Sequence, residues 1–148
     1  VQTCALPILP TQNHFFAQLG LPGLFHGYHG IVMGVSAGSM NAAHIVYAAP
    51  EEPGEAADPH YSRWMNGLGL TETRILPHYQ FIRDHLLDGQ KVEDIALADS
   101  KKRHFLALPD GSYILCADGS EALYGKGWYF ADGMMEEINE DEDVLPLR

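Results

Sequence analysis

Cysteine, basic residues and long apolar runs are scarce in this sequence, and each shortage excludes a class of protein. Only Cys4 and Cys116 occur in 148 residues, with neither metal-site spacing nor the density of a disulfide scaffold, so a reducing cytoplasm is the expected compartment. No apolar stretch approaches the roughly 18 residues that span a bilayer, and no membrane partner is expected. Lys and Arg total 9 against 20 Asp and Glu, a formal net charge of -11. That sign repels nucleic acid and anionic lipid alike. What is present is 46% hydrophobic residues, enough in a chain of this length for one domain with a core. The partner this leaves is a small-molecule or peptide substrate; nothing indicates an oligomeric state. Glu136, Glu137, Glu140, Asp141, Glu142 and Asp143 crowd near the end and read as a solvated tail.

The opening differs from the rest. Val1 to Ile8 carries no charge, no periodicity and no signal-peptide layout. It matches the translation of the end of a common sequencing-library adapter. The expectation is that residues 1–8 are non-native and that 9–148 are the C-terminal portion of a single domain whose N-terminal part is missing.

Thr11 is placed to cap a helix through His14, Phe15, Phe16 and Leu19 that ends at Gly20, with a short helical turn restarting at Pro22. Ile31, Val32, Met33, Gly34 and Val35 form a short continuous apolar run, the pattern of a central parallel strand buried on both faces. Small and apolar residues from Ala37 to Tyr47 predict a helix, stopped by the proline-bounded acidic loop 50–59. Residues 73–76 read as a strand leading into Pro77-His78-Tyr79, and 81–87 as a helix ended by Gly89. Beyond His104, strand-like runs at 104–108, 113–116, 128–131 and 134–138 are separated by Asp110-Gly111, Asp118-Gly119 and Asp132-Gly133, which read as hairpin turns. The pattern is α/β with a β-hairpin-rich C-terminal part.

Gly34-Val35-Ser36-Ala37-Gly38 is a G-x-S-x-G pentapeptide between a predicted strand and a predicted helix, the setting of a nucleophile elbow. The sharp turn strains the backbone at the serine, so its neighbours must be small while the hydroxyl projects. Ser36 is therefore the candidate nucleophile and the Ala37 N–H a candidate oxyanion donor. The bland alternative is a glycine-rich turn in which Ser36 only caps a helix. Ser39, one turn further on, is assigned support.

A serine needs a base, usually a histidine held by a carboxylate. His78 is the choice among eight because it follows a strand, where open α/β sheets place their sites. His26, His29 and His44 read as structural; His60, His85 and His104 read as solvent-facing, and no set suits zinc. Glu51, Glu52, Glu55 and Asp58 in the acidic loop are candidate orienting acids that local pattern does not separate. No cofactor and no metal is assigned.

Gly34-Val35-Ser36-Ala37-Gly38-Ser39-Met40-Asn41, Gly67-Leu68-Gly69-Leu70 and Leu76-Pro77-His78-Tyr79, together with Pro10-Thr11-Gln12-Asn13 and Pro109-Asp110-Gly111, closely resemble the dipeptidase E and cyanophycinase group of serine peptidases. The resemblance implies a three-layer, flavodoxin-like fold akin to class I glutamine amidotransferases, here without the N-terminal portion of its sheet. It implies hydrolysis of small peptides through a Ser-His-acid triad: Ser36, His78 and Glu51, with Glu52 as the alternative acid. The family also carries a Gly-Gly pair that supplies the second oxyanion donor; Leu6 and Pro7 stand there, and proline has no N–H to donate. The fragment as written is therefore expected to be impaired in folding and activity. Two rivals remain, an α/β-hydrolase-type esterase and a non-catalytic amidotransferase-like domain that binds a ligand or partner. Arg74, Arg83 and Lys91 are candidates to read a substrate carboxylate.

Overall fold

The computed structural model describes residues 8–138 and 145–147. Most of the opening segment, including Cys4, Leu6 and Pro7, and the acidic run Glu140 to Asp143 lie outside the described residues. The chain divides into two compact units, Val1–Arg74 and Ile75–Arg148.

The first unit opens with α1 (Ile8–Gln18) and α2 (Leu21–Phe25), separated by Gly20 at φ 64. Thr11 lies inside α1 and does not cap it. Pro10 is tolerated there because first-turn N–H groups have no intrahelical acceptor to lose. After a stretch without helix or strand come α3 (Ala37–Met40), β1 (Ile45–Tyr47) and β2 (Trp64–Asn66). The predicted helix over 37–47 is thus one turn followed by a strand. Ile45 and Val46 are β-branched and prefer the pleated ladder, and β1 pairs antiparallel with β2, with Tyr47 opposite Trp64.

The run 31–35 carries neither helix nor strand, and no strand pairs with it among the described residues. Ile31 is 94% and Val35 73% exposed. The expected central strand is therefore not formed: an apolar, β-branched run favours extended backbone, but only neighbouring strands can satisfy its main chain and cover its faces.

The second unit begins with β3 (Ile75–Leu76) and α4 (Tyr79–Ile82), then β4 (Leu86–Leu87), β5 (Gln90–Lys91) and α5 (Val92–Ser100). The predicted helix over 81–87 is again a single turn. Asp88 (φ 51) and Gly89 (φ 80) instead form the two-residue turn of a hairpin, β4 against β5. Strands β6 (Phe105–Ala107), β7 (Tyr113–Ala117), β8 (Ser120–Tyr124), β9 (Gly127–Ala131), β10 (Met134–Ile138) and β11 (Leu145–Leu147) complete it. One sheet has the order β10-β9-β6-β3 and another β11-β8-β7. Asp118-Gly119 and Asp132-Gly133 make two-residue hairpin turns as predicted, with positive φ at all four residues. Asp110-Gly111 does not, because β6 and β7 belong to different sheets.

The pair that matters for function is β3 and β6, which run parallel with Leu76 opposite Ala107. Their connection passes through α4, the small hairpin and α5, a βαβ crossover. On one face of the sheet Phe105 and Phe130 stack at 5.0 Å, and Tyr79 lies against Phe130 and Trp128. On the other, Leu106, Leu108, Leu123 and Ile138 form a core with Ile75, Ile114 and Tyr129. Among the described residues no helix is long and apolar enough to cross a membrane.

Phe130 is fully buried between the rings of Tyr79 and Phe105. Phe130→Ala should destabilise the second unit by about 3–5 kcal/mol, read as a lower urea midpoint followed by aromatic fluorescence. A loss under about 1 kcal/mol would mean this sheet face is not the unit's core.

Candidate active site

Ser36 has φ 51 and ψ -122, a region side-chain-bearing residues avoid, and stands immediately before α3; the strand expected to lead into it is not formed. Gly34 is required: a Cβ there would lie 2.6 Å from the main-chain N and Cα of Ser39. At Gly38 a methyl group would meet open space, so the two glycines of the pentapeptide are not equivalent. Ser39 Oγ donates to Ser36 O at 2.6 Å, the supporting role expected of it.

Asn41 locks the turn from beneath. It is fully buried, and its amide donates to Ala37 O (3.0 Å) and Gln12 Oε1 (2.9 Å). Its oxygen accepts from Asn13 Nδ2 at 2.8 Å, and the Asn13 amide also donates to Asn66 O. The Pro10-Thr11-Gln12-Asn13 and Ser36-to-Asn41 motifs are therefore two halves of one hydrogen-bonded clamp. The third motif closes on the same segment, since Leu68 N–H donates to Asn41 O and Gly67 N–H to His44 O. A Cβ on Gly67 would overlap Ala43 O.

The acidic loop of this unit is ordered. Glu55 Oε2 accepts the main-chain N–H groups of Glu51 and Glu52, and Arg63 donates to the carbonyls of Glu55 and Ala56. Asp58 accepts from His60 N–H. Glu52 is exposed and Glu51 half-buried. Burial, reinforced by the nearby Glu55 and Glu52 charges, pushes the Glu51 carboxyl up to about 8.

In the second unit His78 stands two residues beyond β3, at φ 59 and ψ 23. Its Nδ1 lies 2.6 Å from Asp110 Oδ1, with both side chains about half-exposed. Asp110 comes from the turn after β6, closed by Ser112 N–H to Pro109 O with Gly111 at φ 94. The C-terminal ends of two adjacent parallel strands thus bring an imidazole and a carboxylate together, the position where open α/β sheets carry their sites. Tyr79, fully buried beside His78, anchors the loop, and its hydroxyl donates to Glu93 Oε2 at 2.7 Å.

The sequence profile of Peptidase family S51 matches residues 28–123, more than half the chain. The chain belongs to peptidase family S51. The match takes in Ser36, His78 and Asp110, and membership supports a serine peptidase. No curated protein and no solved structure matched.

For this S51 chain, Asp110 is the residue that sequence reasoning missed as a partner of His78. In the sequence Asp110-Gly111 reads as a hairpin turn, although Pro109-Asp110-Gly111 is among the motifs that carry the resemblance and directly follows a strand. The remaining histidines, His14, His26, His29, His44, His60, His85 and His104, are exposed; His44 lies 3.3 Å from Glu72 and His104 packs on Tyr129. Of the candidate carboxylate readers, Arg83 is bound to Glu93 at 3.0 Å and lies over the Tyr79 and Trp128 rings. Lys91 sits 3.3 Å from Asp84, and Arg74 is buried.

Two outcomes test the first unit. Asn41→Ala leaves three polar partners around a buried gap and should cost about 2–4 kcal/mol in urea unfolding; a cost below about 0.5 would show that water replaces the clamp. For Glu51 the folded value lies above the ordinary 4.5. Its contribution is intact below about 4.5 and is lost progressively as pH rises to about 8, because over that window only the folded chain holds the proton. Glu51→Gln should therefore match the parent near pH 5 and exceed it in unfolding midpoint near pH 9. Equal midpoints at both pH values would place Glu51 in water.

Proposed function

We propose that this chain is a serine peptidase that hydrolyses small peptides through an acyl-enzyme, with Ser36 as nucleophile and His78 as base. The observation that carries the reading is the short His78–Asp110 contact at the ends of two parallel strands, in a member of a peptidase family. With Nδ1–H donated to Asp110, Nε2 is the ring nitrogen that carries a lone pair and can accept a proton. The strained Ser36 supports the nucleophile's role, since this backbone persists only where the surroundings enforce it. We read the fold as flavodoxin-like, three-layered, with the parallel β3–β6 pair as part of its sheet.

The orienting acid is better filled by Asp110 than by Glu51. A carboxyl pushed up to about 8 is largely protonated at neutral pH and offers no charge to an imidazolium. Exposed Glu52 keeps the role suggested by resemblance alone. In the reaction, His78 takes the Ser36 proton as the oxygen attacks a peptide carbonyl. The Ala37 N–H, in the first turn of α3 where no intrahelical acceptor precedes it, receives the oxyanion. The imidazolium then protonates the leaving amine, and water activated by His78 releases the acid and restores Ser36. This chemistry calls on no metal and no organic cofactor.

A dipeptide library together with a fluorophosphonate probe tests the proposal. Cleavage and labelling should both vanish in Ser36→Ala, and cleavage in His78→Ala. Asp110→Asn should lower kcat about a hundredfold or more while leaving the fold intact. Undiminished turnover in Ser36→Ala would remove the serine mechanism; full activity in Asp110→Asn would return the acid's role to the loop carboxylates.

A further inference from the structure

We infer that Gln80 is a positioning residue for the Asp110–His78 pair, an inference that rests on the reading of His78 as the base. The parallel ladder of β3 and β6 continues one rung past the strand ends, where Leu108 N–H donates to Leu76 O (2.9 Å), and then slips by one residue, Leu108 O accepting Tyr79 N–H (3.1 Å) in place of His78 N–H. A ladder that kept its register would next send Asp110 N–H to the carbonyl of His78. That acceptor is turned away. His78 is left-handed, and its carbonyl takes Phe81 N–H at 2.9 Å to start α4.

The side chain of Gln80 supplies the missing rung, its Oε1 accepting Asp110 N–H at 3.2 Å. Asp110 is thereby held at two points, its main chain by Gln80 and its carboxylate by His78. Both contacts come from the same short loop. Without Gln80 the Pro109-to-Ser112 turn keeps its own closing bond, but its rotation about the strand end is no longer fixed against His78. The expected consequence is a looser carboxylate–imidazole contact and a mixed imidazole tautomer, since the carboxylate is what holds the proton on Nδ1. Gln80 touches neither the substrate nor a reacting atom in this scheme.

The test is the ring-nitrogen NMR spectrum of His78 in the full chain, which reports tautomer without needing turnover. The parent should show a protonated Nδ1 and a bare Nε2. Gln80→Met, which keeps the stem and loses the acceptor, should shift population toward the other tautomer; Gln80→Glu, which retains an Oε acceptor, should restore it. In the dipeptidase assay Gln80→Met should lower kcat about tenfold with KM unchanged, again restored in Gln80→Glu. Gln80 is half-exposed on a one-turn helix, so the unfolding midpoint should scarcely move. Asp110→Asn separates the two layers of the argument. If it leaves the tautomer unchanged, the His78–Asp110 reading fails. If it changes the tautomer while Gln80→Met does not, the positioning role is overturned and the reading stands.

Discussion

Left-handed backbone at a residue with a side chain costs on the order of 1–2 kcal/mol, and here it is imposed at both residues assigned to the chemistry. Ser36 at φ 51 and His78 at φ 59 each stand immediately before a one-turn helix, as its N-cap. The rest of each unit can be read as the means of holding that conformation. Around Ser36 the means are a glycine with no room for a Cβ, a hydroxyl on its carbonyl and the Asn41 clamp. Around His78 they are a buried tyrosine, a parallel ladder and a carboxylate.

The two restraints differ in kind. Asn41 is fully buried, so each of its hydrogen bonds is protected from water and the amide cannot be lost without orphaning Gln12, Asn13 or a main-chain carbonyl. Such networks are costly when incomplete and specify one geometry when complete. The His78 site is half-exposed and relies on strand ends for its precision. Its anchoring is one residue away, where Tyr79 packs between Trp128 and Phe130 and ties Glu93, which in turn holds Arg83. The aromatic core thus fixes the loop, and the loop fixes the imidazole.

Local chemistry made the sharp turn at Ser36, the Gly20 break and the two-residue turns at Asp118-Gly119 and Asp132-Gly133 legible, because each depends on residues adjacent in sequence. What needed partners far along the chain was not legible. The small and apolar run from Ala37 has helical propensity, yet Asn41 ends the helix by turning its amide back to Ala37 O, and Ile45 to Tyr47 find β2. Residues 81–87 carry helical spacing, but Asp88-Gly89 closes a hairpin whose strands are only two residues each. The run 31–35 shows the converse: its composition favours a strand, and none forms there because no neighbour pairs with it among the described residues.

The proposal of Asp110 over Glu51 as the acid puts environment above position. Glu51 sits at the spacing the resemblance points to, but its loop gathers Glu52 and Glu55 around it and removes water, so charge there is opposed from every side. Asp110 sits in a turn, half-exposed, where water reaches one side of the carboxylate and an imidazole nitrogen the other. Burial and like charge oppose ionisation of Glu51, and in the proposed mechanism a base that becomes cationic gains from a charged neighbour. The turn type, with glycine third in Pro109-Asp110-Gly111-Ser112, is what places Asp110 there. Replacing that glycine would move the acid without touching it.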